Sequence, residues 1–126
     1  MRTLYFLACI GLLIPGLAFA DQSIAGKWRA NLGSNVVIDM NVAPDGNWDS
    51  QTVQNGSIVA RMSGTYQQTR KSGTTGNVVF APTQAQTTAQ HGAATAERDV
   101  YSLTSHGQVL RLTSGGDTMV FHKQAQ

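Results

Sequence analysis

Asn47-Trp48-Asp49-Ser50-Gln51-Thr52-Val53-Gln54, then Asn55-Gly56, then Ser57-Ile58-Val59-Ala60-Arg61-Met62-Ser63-Gly64-Thr65-Tyr66-Gln67 spell a β-hairpin. Asparagine and glycine both tolerate the positive φ of a two-residue type I′ turn, so Asn55-Gly56 between two such runs marks the reversal. In the second run Ile58, Ala60, Met62, Gly64 and Tyr66 fall on one face and Val59, Arg61, Ser63, Thr65 and Gln67 on the other. That period of two describes a strand with one dry and one wet face. Gly64 in its middle predicts a bend or bulge, a device used where a sheet curls toward closure.

The same pattern continues outward. Residues 36–42 alternate Val36, Ile38, Met40 and Val42 with Val37, Asp39 and Asn41, and Asp45-Gly46 turns that strand into the next. On the other side, 71–76 is a polar loop and 77–81 a short strand ended by Pro82. The Ala-, Thr- and Gln-rich stretch 83–95 has no periodicity and fits a long loop, a polar strand pair or a flap. Strands at 100–104, 108–113 and 118–123 follow, separated by His106-Gly107 and Gly115-Gly116-Asp117. With a first strand around Gly26 and Trp28, this is an all-β chain of seven or eight antiparallel strands in up-and-down order. Short neighbouring connections favour a single closed barrel over a Greek-key sandwich, and closure removes exposed edges.

Residues 1–20 read as a secretory signal: Arg2, an apolar stretch from Leu4 to Ile14, a Pro15-Gly16 break and Ala18-Phe19-Ala20 before Asp21. The expected organisation is a signal peptide over 1–20 and one barrel domain over 21–126, located in the periplasm or secreted. The apolar stretch is too short to span a bilayer and no second one follows, so no stable membrane insertion is expected. Cys9 is the one cysteine, so the mature barrel has neither disulfides nor thiolate chemistry. Charges nearly balance, with nine Lys or Arg against seven Asp or Glu and no run of one sign. Nucleic acid is therefore not an expected partner.

The stretch Ile24-Ala25-Gly26-Lys27-Trp28-Arg29-Ala30-Asn31-Leu32-Gly33-Ser34-Asn35 resembles the first strand of avidin-type biotin-binding barrels, where G-x-W is followed by a polar pair and L-G-S. Gly46, Trp48, Asp117-Thr118 and the Phe121-x-Lys123 ending extend the likeness loosely into the calycin group, which includes the lipocalins. The resemblance implies a barrel and gives Ser34 the place of the serine that hydrogen-bonds the ureido group of biotin. It departs elsewhere. Ala30 stands where the family has its ureido-binding asparagine, Asn31 points to the other face, and no tryptophan follows Trp48 to wall in biotin. In the similar lipocalins a basic side chain near the chain's end covers the first-strand tryptophan. Here Gly26 and Trp28 with Arg111 or Lys123 are the candidates for that closure, the alternative being a core Trp28 with both cations solvated.

No G-x-S-x-G, H-E-x-x-H, phosphate loop or acidic calcium loop occurs. His91, His106 and His122 read as exposed imidazoles rather than metal ligands, and Asp39, Asp49 and Asp99 as solvated carboxylates on the outer face. No enzyme activity, cofactor or metal is implied. Ser34, Met40, Trp48, Met62, Tyr66 and Tyr101 are the candidate lining of a site for a small apolar or amphipathic ligand. The short chain favours an interior filled by its own side chains over an open one. Two functions fit: a non-catalytic carrier of calycin type with Ser34 and Tyr66 as polar handles, or an exported interaction protein. The second resembles, in length and layout, small periplasmic inhibitors of secreted metalloproteases, whose N-terminal segment enters the protease cleft.

Overall fold

In the computed structural model, which describes residues 23–87 and 95–125, eight antiparallel strands close into one up-and-down barrel. They are β1 (Gly26–Gly33), β2 (Val36–Val42), β3 (Asn47–Gln54), β4 (Ser57–Arg70), β5 (Thr75–Thr87), β6 (Glu97–Thr104), β7 (Val109–Ser114) and β8 (Asp117–Lys123). Each strand pairs with its sequence neighbours, and β1 closes on β8 with Trp28 opposite Lys123 and Arg29 opposite His122. Residues 1–22, which include the expected signal segment over 1–20, and residues 88–94 and 126 lie outside the described residues.

The turns take the conformations their residues favour. Asn55 and Gly56 have φ of 53° and 81°, and Gly115 and Gly116 have 59° and 90°, both central residues being positive as a primed turn requires. Gly64 sits at a register shift, with Ser63 opposite Gln84 and Gly64 opposite Pro82. A Cβ there would run into the Ala81 carbonyl. The stretch from residue 83 resolves in favour of a strand as far as Thr87, paired back onto Ala60 of β4.

The core fills one end of the barrel. Ile24, Trp28, Val42, Val78, Tyr101, Leu103 and Leu110 are buried there, with Ile24 and Leu110 at 0 % exposure. Ile24 crosses beneath the strands; its carbonyl accepts the Trp28 indole N–H at 2.8 Å, and its own N–H donates to Gln68 Oε1 at 3.3 Å. Of the two candidate cations, Lys123 covers the tryptophan, with Nζ 5.5 Å from the ring centre. Arg111 lies exposed on the outer face and donates to Thr104 Oγ1 at 3.2 Å. Gly26 permits this closure: its φ is 147°, and a Cβ would stand 2.9 Å from Lys123 Cε. Beyond this base the interior is open, which corrects the expectation of a filled one.

Candidate functional site

The open half of the barrel is a cup of about 650 Å³. Its floor is apolar because inward positions of β2, β3, β5 and β8 supply Met40, Trp48, Phe80 and Phe121. Trp48 and Phe80 meet edge to face, with centroids 5.1 Å apart and planes at 71°, the arrangement that brings a positive ring edge onto a negative ring face. The Trp48 indole N–H donates to the Thr65 carbonyl at 2.8 Å. Its polar edge is thereby satisfied within the wall, which leaves the floor of the cup a hydrocarbon surface.

One side of the cup is acidic. Glu97, Asp99 and Asp117 line it together with Ser114 and Thr118, and the described lining contains no Lys, Arg or His. The ladders bring these groups together. Glu97 stands opposite Phe80 and Asp99 opposite Val78 across β5 and β6. Val100 opposite Thr113 carries Asp99 to the level of Ser114, which in turn faces Asp117 across β7 and β8.

Asp99 is 1 % exposed, and neither carboxyl oxygen has a hydrogen-bond partner. Burial first, and then the neighbouring Glu97 carboxyl, push its pKa up to about 7, while the Ser114 hydroxyl opposes them. Asp99 is therefore not a solvated outer-face carboxylate, as its sequence context suggested. Asp39 and Asp49 do lie outside: Asp39 pairs with Arg29 at 2.7 Å, and Asp49 is exposed. The signal for Asp99 was present in the chain. Tyr101 is an expected inward residue, and on a regular strand the residue two before it shares that face.

The predicted lining residues divide between the two halves. Met40, Trp48 and Met62 line the cup. Tyr66 and Tyr101 lie toward the base: the Tyr66 hydroxyl donates to the Ala43 carbonyl at 2.6 Å, and the Tyr101 hydroxyl accepts from Gln68 Nε2 at 2.8 Å. Burial and the Asp45 charge hold the Tyr66 phenol above its ordinary pKa. Ser34 occupies the exposed β1–β2 turn with φ of 51°. It is not among the described lining of the cup. Ala30 faces the interior and Asn31 the solvent, as the strand phase predicted.

His106 and His122 are exposed, and His91 lies outside the described residues. Among the described residues no group of three or more His, Cys, Asp or Glu is placed to hold a metal ion. Barrel and cup together define a small closed β-barrel with a plugged base and an acidic-walled mouth. Comparison with protein families, with curated proteins and with solved structures gives no match.

Proposed function

We propose that this barrel is an exported binding protein that holds a small amphipathic molecule in its cup without transforming it. The observation that carries the reading is the open, apolar-floored cavity of about 650 Å³ above a plugged base. Pockets for small organic ligands run from about 300 to 1,000 Å³ and combine an apolar lining with a few polar groups. The signal-like residues 1–20 supply the export, and the local avidin-like stretch from Gly26 to Ser34 accords with a ligand-binding barrel. The inhibitor reading has less support. Ile24 is fully buried and tied to Trp28, so this part of the N-terminal segment belongs to the barrel's base instead of projecting toward a partner.

Thermal unfolding of the mature protein against biotin, fatty acids, haem and small aromatic compounds tests this. A ligand at a hundred times its Kd stabilises the fold by about 2.7 kcal/mol, so at least one class is expected to raise Tm by several degrees. Absence of any shift at millimolar ligand overturns the carrier reading.

A further inference from the structure

We propose that the cup takes an organic cation, a protonated amine whose ammonium meets Asp99 while its apolar part lies on Trp48 and Phe80. This rests on the reading of the cup as a small-molecule site and names the chemical class it accepts. A carboxyl that is 1 % exposed, lacks any hydrogen-bond partner and borders an open cavity is an unmet demand for donors. Leaving such a group unpaired is costly, whereas a charge-assisted bond to an ammonium is among the stronger interactions available. Glu97 and Asp117 add negative potential along the same wall, and no Lys, Arg or His in the described lining offsets it. An anionic ligand would meet the repulsion of these carboxylates with no cation in the described lining to offset it.

The rest of the lining selects an organic cation over an inorganic one. Hard divalent ions need about six to eight oxygen ligands, and no metal-holding group of carboxyls or imidazoles occurs among the described residues. The floor of the cup offers Met40, Trp48 and Phe80 instead. These suit hydrocarbon, and the two ring faces attract a cation as well. An ammonium on an aromatic or alkyl body matches wall and floor at once.

Ionisation of Asp99 then couples to binding. Around it β5 presents Val78 and Phe80, β7 presents Leu112 and Ser114, β8 presents Asp117, and Glu97 stands two residues back on its own strand. The titratable groups facing it are thus both acids. With its pKa raised to about 7, Asp99 carries a proton in a large share of molecules at and below neutrality, and the incoming ammonium expels it. Affinity therefore rises with pH until Asp99 is fully ionised, and the amine stays charged throughout.

The test uses three matched probes on the mature protein by isothermal titration calorimetry: 2-phenylethylammonium, neutral 2-phenylethanol and anionic 3-phenylpropanoate. At pH 8 the ammonium is expected to bind roughly tenfold to a hundredfold tighter than the alcohol, as a bond to a charged group implies. The anion is expected not to bind. Asp99→Asn should bring the ammonium down to about the affinity that the alcohol has for the same variant. Independently of that variant, wild-type affinity for the ammonium should climb between pH 5.5 and 8 with proton release, and the alcohol should show neither effect. Equal binding of ammonium and alcohol, or a preference that survives Asp99→Asn, overturns the cation site and leaves the cup standing as a binding site. Tight binding of calcium ion alone that excludes the ammonium also overturns it. If none of the three probes binds and no compound of the wider panel raises Tm, both readings fall.

Discussion

Asp99 stands directly opposite Val78 across the β5–β6 ladder, and both side chains are buried, at 1 % and 0 % exposure. A carboxyl set against an isopropyl group gains nothing from its neighbour when it ionises. A barrel built only for stability would carry a second aliphatic residue there. The acid is a local cost retained next to a cavity, which is where buried unpaired groups acquire a function.

That cost predicts the protein's acid–base behaviour. Asp99 has its folded-state pKa raised from 3.8 to about 7, so the native state binds its proton more tightly than the unfolded chain does. The associated stability is fully present below about pH 4 and is lost as pH rises to about 7, after which it changes no further. At 1.36 kcal/mol per pK unit, the loss is on the order of a few kcal/mol. Urea denaturation of wild type and Asp99→Asn across pH 4 to 8 should show this slope in wild type alone. Parallel pH profiles for the two proteins would sink the assignment.

How much of this was legible in the sequence differs by element. Turn chemistry is local, so Asn55-Gly56 and Gly115-Gly116 announced their hairpins, and strand phase correctly put Ala30 inside and Asn31 outside. The end of β5 was obscure because residues 83–87 lack apolar alternation; their strand identity comes from pairing with β4, a long-range contact. Asp99 departs from the outer-face expectation because it shares the inward phase of Tyr101, two residues on along β6. Ser34 was given a ligand role through the likeness of its L-G-S run. The register shift between Asn31 and Gly33 ends the regular strand just before it and turns the chain away from the interior.

The base should be sensitive to backbone geometry. Gly26 has φ of 147°, and a Cβ added there would stand 2.9 Å from Lys123 Cε. Gly26→Ala is expected to cost about 1–3 kcal/mol from backbone strain plus crowding. Lys123→Ala alone removes a cation–π contact worth about 0.5–1 kcal/mol. Adding it to Gly26→Ala relieves the crowding and leaves the strain, so the double variant should be more stable than the two separate losses imply. Strict additivity in chemical denaturation would show that Lys123 does not press on this position.

Tyr66→Phe isolates a polar tie at the base. Its hydroxyl donates to the Ala43 carbonyl at 2.6 Å, tying β4 to the turn between β2 and β3. Removing it should cost about 1 kcal/mol, read as a lower denaturation midpoint with an unchanged m-value. Because Tyr66 is not part of the described lining of the cup, ligand affinity measured on the folded variant should stay within about twofold of wild type, a difference under 0.5 kcal/mol. A tenfold loss would place the phenol in the binding site after all.

Ser34 and Met62 separate the likeness to avidin-type barrels from the geometry of the cup. Ser34 lies in an exposed turn with φ of 51°, a conformation glycine adopts without penalty. Ser34→Gly deletes the hydroxyl that the resemblance assigns to ligand, yet should leave affinity unchanged and stability equal or higher by up to about 1 kcal/mol. Met62 lines the cup while remaining 37 % exposed, so a larger side chain there can extend into the opening without displacing the buried core. Met62→Trp should therefore lower affinity for whichever compound raises Tm by at least tenfold, or about 1.4 kcal/mol, with little change in the unfolding midpoint of the free protein. Calorimetry on the two variants gives opposite answers under the two placements of the ligand: loss with Ser34→Gly and tolerance of Met62→Trp would move the site from the cup to the β1–β2 turn.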